Sequence, residues 1–235
     1  FVDADKVTGY RTAATSAAAL DRLAAPQPGK LGVLGSGLEA AMHIRAFCAA
    51  RRFERVEVFS PTEARREALA GQLREELGVE VVAADSARQA IEGADVALAA
   101  ARSHGEKPIL FAEWLKPGAV TMSIGSTVPS QREIDVSVVA QSDLIVCDMV
   151  HEVMSETGDM IAAAQAGIDF ASRCHPLSAL MRGELAALLP GARHPMFKSV
   201  GGGMQDVVVA GLVLDRVLEM GLAVDLPMSF SAKRV

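Results

Sequence analysis

The chain has 235 residues, half of them apolar and 22% charged, enough to bury one substantial core or two small ones. Its formal net charge of −6 argues against a general nucleic-acid binder, and no apolar run approaches the roughly 20 residues of a membrane-spanning helix. Three cysteines (Cys48, Cys147, Cys174) lack any CxxC pair, and no basic-then-apolar leader opens the chain, so the expectation is free thiols and a cytoplasmic protein.

Arg11–Ala24 is alanine-rich with leucines at helical spacing and predicts a helix, which Pro26, Pro28 and Gly29 break. Lys30–Leu34 then predicts a strand and Leu38–Arg51 a helix, followed by a strand at Arg55–Phe59 and a charged helix at Thr62–Leu77. Further strands are expected at Val79–Ala83, Asp95–Ala100, Ala119–Ile124, Asp143–Cys147 and Pro195–Val200. Helical segments are expected at Ser86–Glu92 and Arg132–Ala140, and a long helix at Met204–Met220. Strands alternating with helices imply βαβ units, so the fold class is α/β: a doubly wound, mostly parallel sheet with a C-terminal helical return.

The strongest local signal is Gly35-Ser36-Gly37-Leu38-Glu39-Ala40, a G-x-G-x-x-A turn between a strand and a helix. Gly35 allows the tight turn, Gly37 lets the backbone approach a pyrophosphate, and Ala40 lets helix and strand pack closely. With Ser36 and Leu38 at the helix N-terminus, free N–H groups face the anion. An NAD site would end the second strand in a carboxylate; this one reads Phe59-Ser60-Pro61-Thr62, with Arg65 and Arg66 in the next turn. Ser60, Thr62 and Arg65 therefore favour the 2′-phosphate of NADP(H), with NAD(H) as the alternative. The five histidines, His104 among them, show no ligand spacing, and no metal is expected.

Several blocks together resemble the ornithine cyclodeaminase/mu-crystallin family. They are Tyr10-Arg11-Thr12-Ala13-Ala14-Thr15-Ser16, Gly125-Ser126 with Arg132-Glu133-Ile134-Asp135, Glu156-Thr157-Gly158-Asp159, and Phe197-Lys198-Ser199-Val200-Gly201 leading to Gln205-Asp206. The resemblance implies a Rossmann NAD(P)-binding domain in a two-domain homodimer acting on small imino or amino acids. It implies that Arg11 clamps a substrate carboxylate, a task suited to a planar guanidinium fork, and that Thr12 and Ser126 join the cofactor site. Lys198 stands where the cyclodeaminases carry aspartate, so the chain resembles the ketimine reductase branch, with Lys198 as the second catalytic candidate. Glu39 departs from the glutamine usual in the family.

The expected function is an NAD(P)H-dependent imine reductase or amino-acid-type dehydrogenase. The alternatives are a cyclodeaminase with bound NAD and a non-catalytic nucleotide or small-ligand binder. The resemblance further implies that residues 1–12 are the tail of a substrate and dimerisation domain absent here. Residues 13–205 would form the dinucleotide-binding domain and 206–235 a C-terminal helix and tail. A fragment of a longer chain is the expectation, and a homodimer if that first region is present.

Overall fold

The computed structural model describes residues 3–101 and 107–225. In chain order the elements are α1 (Ala4–Leu23), β1 (Lys30–Leu34), α2 (Leu38–Ala50), β2 (Arg55–Phe59), α3 (Glu63–Leu77), β3 (Glu80–Ala83), α4 (Ala87–Ile91) and β4 (Val96–Ala99). There follow β5 (Val120–Ser123), α5 (Val136–Gln141), β6 (Leu144–Cys147), α6 (Val150–Glu156), α7 (Gly158–Gln165), β7 (Cys174–Pro176), α8 (Leu177–Met181), β8 (Pro195–Lys198) and α9 (Gly203–Glu219). His104 and the last ten residues of the expected C-terminal tail lie outside the described residues.

All eight strands join one sheet in the order β3-β2-β1-β4-β5-β8-β6-β7, and every pairing is parallel. A parallel sheet needs apolar cover on both faces, and the side-chain alternation along each strand supplies it. Leu31, Val33, Val96, Leu98, Val146 and Phe197 point to one layer with Leu20 of α1, Ile44 and Phe47 of α2 and Leu73 of α3. Ala97, Ala99, Ile145, Cys147 and Met196 point to the other, with Ile91 of α4, Val139 of α5 and Met160 of α7. The chain winds out from β1 in one direction through β2 and β3, then returns past β1 to β4. The strand order therefore reverses between β1 and β4, and crevices open at the carboxyl ends of strands at such a switch point.

Three departures from the sequence reading are local. Helix α1 begins at Ala4, well before Arg11, because the Asp3 carboxylate caps it, accepting from Asp5 N–H at 3.1 Å and Lys6 N–H at 3.2 Å. The helix therefore runs through the boundary expected between residues 12 and 13. Residues 132–134 are not helical; Asp135 caps α5 instead, accepting from Ser137 N–H at 2.9 Å. Strand β7 has no counterpart among the expected elements, being three residues long and ending in proline.

Helix α9 differs from the others: none of its side chains is buried. Met204, Val207, Leu212 and Leu214 are all more than half exposed. Its main contact among the described elements is with α1.

Candidate active site

A cleft of about 420 Å³ opens at the carboxyl ends of β1, β4, β5 and β8. One side is formed by Thr8, Arg11 and Thr12 of α1 and by Gly37, Leu38 and Glu39 at the start of α2. Ala100, Ala101, Ile124 and Gly125 form the floor, and Ser199, Val200 and Gly201 close the far side. A second cleft of about 570 Å³ lies at the opposite ends of β2 and β3, beside Arg51–Glu54 and Leu77–Glu80, and holds none of the expected site residues.

The glycine turn is built as its sequence suggests. Gly35 adopts φ = 129°, its N–H donates to Phe59 O at 2.8 Å, and a Cβ there would press on Ala100 O at 2.6 Å. Gly37 is different: its φ is −90°, and a Cβ would meet nothing within 4 Å. No side chain caps α2 at Gly37, so the first-turn N–H groups are left for solvent or an anion. Ala40, fully buried, seats the helix against β1. These features fit a dinucleotide pyrophosphate.

At the end of β2, Ser60 Oγ accepts from Ser36 Oγ–H at 2.8 Å, which ties the second strand to the glycine turn. Arg66 donates to Ser60 O at 3.1 Å and lies over the Phe59 ring at 5.6 Å from its centroid. Arg65 and Thr62 are exposed, and the Thr62 hydroxyl makes no cap bond to α3.

Arg11 reaches across the cleft mouth to α9. Its Nε donates to Asp206 Oδ1 at 3.0 Å and its Nη1 to Gln205 Oε1 at 3.3 Å. Gly201, at φ = 82°, lets the loop after β8 pass this guanidinium, since a Cβ would overlap it. The loop is fastened by Asp148, just after β6. Asp148 Oδ2 accepts from Ser199 Oγ–H at 2.7 Å and Gly201 N–H at 2.8 Å, and Oδ1 accepts from Val200 N–H at 3.1 Å. Glu39 faces the same space; burial raises its carboxyl above the ordinary range, and the Arg11 charge partly offsets this.

Seven of the expected site residues do not line the cleft, and two of these, Lys198 and Ser126, are buried away from it. Lys198 is fully buried beneath it: Nζ donates to Ser123 Oγ at 2.7 Å and Asp159 Oδ2 at 3.0 Å, and lies 3.5 Å from Glu133 Oε1. Ser126 is also fully buried, and its hydroxyl donates to Gln131 O at 2.7 Å. Arg11, Thr12, Gly37 and Leu38 line the cleft, with Gly35 and Ser36 adjoining and Ser60, Thr62 and Arg65 grouped at the end of β2.

The buried group below the floor is a network. Asp159 Oδ1 accepts from Glu133 N–H at 2.9 Å, Ile134 N–H at 3.2 Å and Arg132 Nε at 3.3 Å. Glu133 Oε1 accepts from Ser123 Oγ–H at 2.6 Å. Its Oε2 is buried with no satisfactory partner, and a Cβ on Gly125 would overlap it. Burial pushes the Glu133 carboxyl up to about 7; Lys198 pulls it down, Asp159 pushes it up, and the Ser123 hydroxyl and a weak contact from Gly125 N–H lower it slightly.

The ornithine cyclodeaminase/mu-crystallin family model matches residues 1–221. The chain belongs to that family. It is 31% identical over 220 residues to the mouse ketimine reductase mu-crystallin, a match covering 91% of this chain and 64% of that protein. The structure of Thermococcus litoralis Δ1-pyrroline-2-carboxylate reductase in complex with NADH and L-proline is similar at a TM-score of 0.84 and 26% identity, covering 94% of this chain and 68% of that one. The iminosuccinate reductase of Paracoccus denitrificans, in complex with NAD+, is similar at a TM-score of 0.86 and 26% identity, covering 95% and 67%. The chain thus spans just under two thirds of the length of the mammalian relative.

Proposed function

We propose that this protein is an NAD(P)H-dependent reductase of small carboxylate-bearing imines. The observation that carries the reading is the uncapped α2 N-terminus at Gly37, opening at the sheet's switch point into the same cleft as Arg11. With a pyrophosphate over Gly37, one half of the dinucleotide extends toward Ser60 and the other along Ala100, Ala101 and Gly125. Bound there, the cofactor supplies the hydride. The chain's own part is orientation: Arg11 presents guanidinium donors to a substrate carboxylate, and the Ser199–Gly201 loop closes the space beside it.

NADP(H) is the preferred cofactor in this reading. Strand β2 ends in Ser60 rather than a carboxylate, and exposed Arg65 stands in the following turn. Arg66 is already committed to Ser60 O and the Phe59 ring, which leaves Arg65 as the cation for a 2′-phosphate. Lys198 acts from below the cleft as part of the buried network, Thr12 forms part of a wall, and Ser126 braces the segment behind Gly125 through its bond to Gln131 O. Residues 13–205 serve as the dinucleotide-binding domain. In the working homodimer the apolar face of α9 is covered by further protein, and three unpaired thiols suit a reducing cytoplasm.

The test is a fluorescence titration with NADPH and NADH, followed by turnover of Δ1-pyrroline-2-carboxylate. Tighter NADPH binding and consumption of NADPH with the imine are the expected results. Release of ammonia from ornithine instead would favour the cyclodeaminase alternative. Binding with no turnover of either compound would favour a ligand-binding role.

A further inference from the structure

The Glu133 carboxyl group has no function in the reading above, yet its position is unusual. It is fully buried, directly beneath Gly125 on the cleft floor, with Oε2 turned to the Gly125 backbone, whose N–H gives it no more than a weak contact. Natural proteins leave few buried polar atoms unpaired, and each calls for an explanation. Among the described residues the charges around it are few. Lys198 of β8 faces Oε1 at 3.5 Å, and Asp159 of α7 shares that ammonium at 3.0 Å. Arg132, on the same segment, is turned to Asp159. After β4, neutral Ala101 approaches Gly125, and Arg11 and Glu39 stand across the cleft. Among the described residues, one buried ammonium thus answers two buried carboxyl groups, and Asp159 also has Arg132, so Glu133 is the member of the pair without a cation of its own.

This matters for a nicotinamide site because the ring is cationic when oxidised and neutral when reduced. A carboxylate under the floor stabilises the cation through a low-dielectric layer, whereas a neutral carboxyl does not. Resting on the dinucleotide reading above, we infer that Glu133 is a proton-linked selector between the two redox forms of the cofactor: ionised, it favours the oxidised form, and protonated, it favours the reduced one. Linkage requires the reverse as well. Binding the oxidised cofactor lowers the Glu133 proton affinity, and its proton is released to solvent, while binding the reduced cofactor leaves that proton in place. The carboxyl group's raised value, about 7, puts this exchange near neutral pH. Glu133 touches no substrate atom in this scheme. Its role is to set the field beneath the ring.

The experiment is the dissociation constant of the chain for NADP+ and for NADPH between pH 6 and 8.5, with NAD+ and NADH as the second pair. Calorimetry in buffers of different ionisation enthalpy counts the protons released. The expected result is a ratio of NADP+ to NADPH dissociation constants that falls by roughly fivefold or more as pH rises. Proton release should accompany NADP+ alone. In Glu133→Gln the ratio should be flat and the proton release lost. The wild-type measurement decides the matter even if that variant does not fold. Binding of both forms with a pH-independent ratio overturns the selector and leaves the dinucleotide reading intact; failure to bind any of the four nucleotides overturns both.

Discussion

Lys198 Nζ lies 3.0 Å from Asp159 Oδ2, with both side chains fully excluded from solvent. A buried pair of this kind contributes little net stability compared with an apolar pair of the same volume, but removing one partner strands the other's charge. Lys198→Met should therefore lower the unfolding free energy by about 3–5 kcal/mol, read as a drop in the urea midpoint at unchanged slope. Adding Glu133→Gln to it should change little further near neutral pH, because without Lys198 the Glu133 carboxyl rises still higher and is already neutral, leaving Asp159 as the stranded charge. A single variant as stable as the wild type would show that Asp159 is satisfied by Arg132 and backbone N–H groups alone.

Gly35 and Gly37 separate folding from binding within one turn. Gly35 is held at φ = 129° against Ala100 O, so Gly35→Ala strains the backbone and should cost about 1–3 kcal/mol of stability. Gly37 has ordinary φ and open space at its Cβ position, so Gly37→Val should change stability by no more than about 0.5 kcal/mol. The same side chain would stand where a pyrophosphate approaches, and NADPH affinity should fall by roughly tenfold or more. Parallel denaturation and nucleotide titration read both effects. Equal affinity in Gly37→Val and the wild type would remove the anion site from this turn.

The contrast between these glycines and Lys198 shows where the sequence was informative. The turn and its flanking strand and helix follow from local period and from residues a few positions apart, and β1 and β2 have their expected bounds. The burial of Lys198 depends on Asp159, 39 residues away, and Ser123, 75 residues away, and no local pattern records that meeting. Lys198 entered as a candidate through its place in a family block, which says nothing of the direction its side chain takes. Asp148 was missed for a related reason. A carboxylate one residue past a strand is common, and only the returning loop after β8 reveals its partners. The early start of α1 was legible in principle, since Asp3 is a good cap, but Gly9 and the polar residues before it obscured the helical period.

Asp148 accepts from two consecutive backbone N–H groups and a hydroxyl, and so fixes Ser199–Gly201 against the cleft. In Asp148→Asn one oxygen becomes an NH2 group facing donors, which breaks at least one of these bonds at a cost of about 1–3 kcal/mol. Because Gly201 passes the Arg11 guanidinium, loosening this loop should raise KM for the imine acid more than it lowers kcat. Amide hydrogen exchange at residues 199–201 should speed up in the variant. Unchanged exchange there would show that the loop is held by other contacts.

His43 sits between α2 and α1 with no exposed surface: Nδ1–H donates to Glu39 O at 2.7 Å, and Nε2 pairs with Ser16 Oγ at 3.0 Å. Burial depresses its pKa to about 4 from the ordinary 6.5, partly offset by the Glu39 carbonyl. Between those values the unfolded chain binds more protons than the folded one, so the neutral histidine's contribution is complete above about 6.5 and fades as pH falls toward 4. The shift corresponds to a ceiling of about 3 kcal/mol. Glu133 has the opposite sign: its raised carboxyl binds more protons folded than unfolded between 4.5 and about 7, so its contribution is lost as pH rises through that window. The two tendencies partly cancel in the wild type and separate in the variants. His43→Gln, which retains an amide donor for Glu39 O, should flatten the loss of stability below pH 6.5. Glu133→Gln should remove the decline toward pH 7 and leave the acid side steeper. Urea midpoints from pH 4 to 8 for the three proteins test both, and an acid limb unchanged in His43→Gln would place the acid sensitivity elsewhere in the fold.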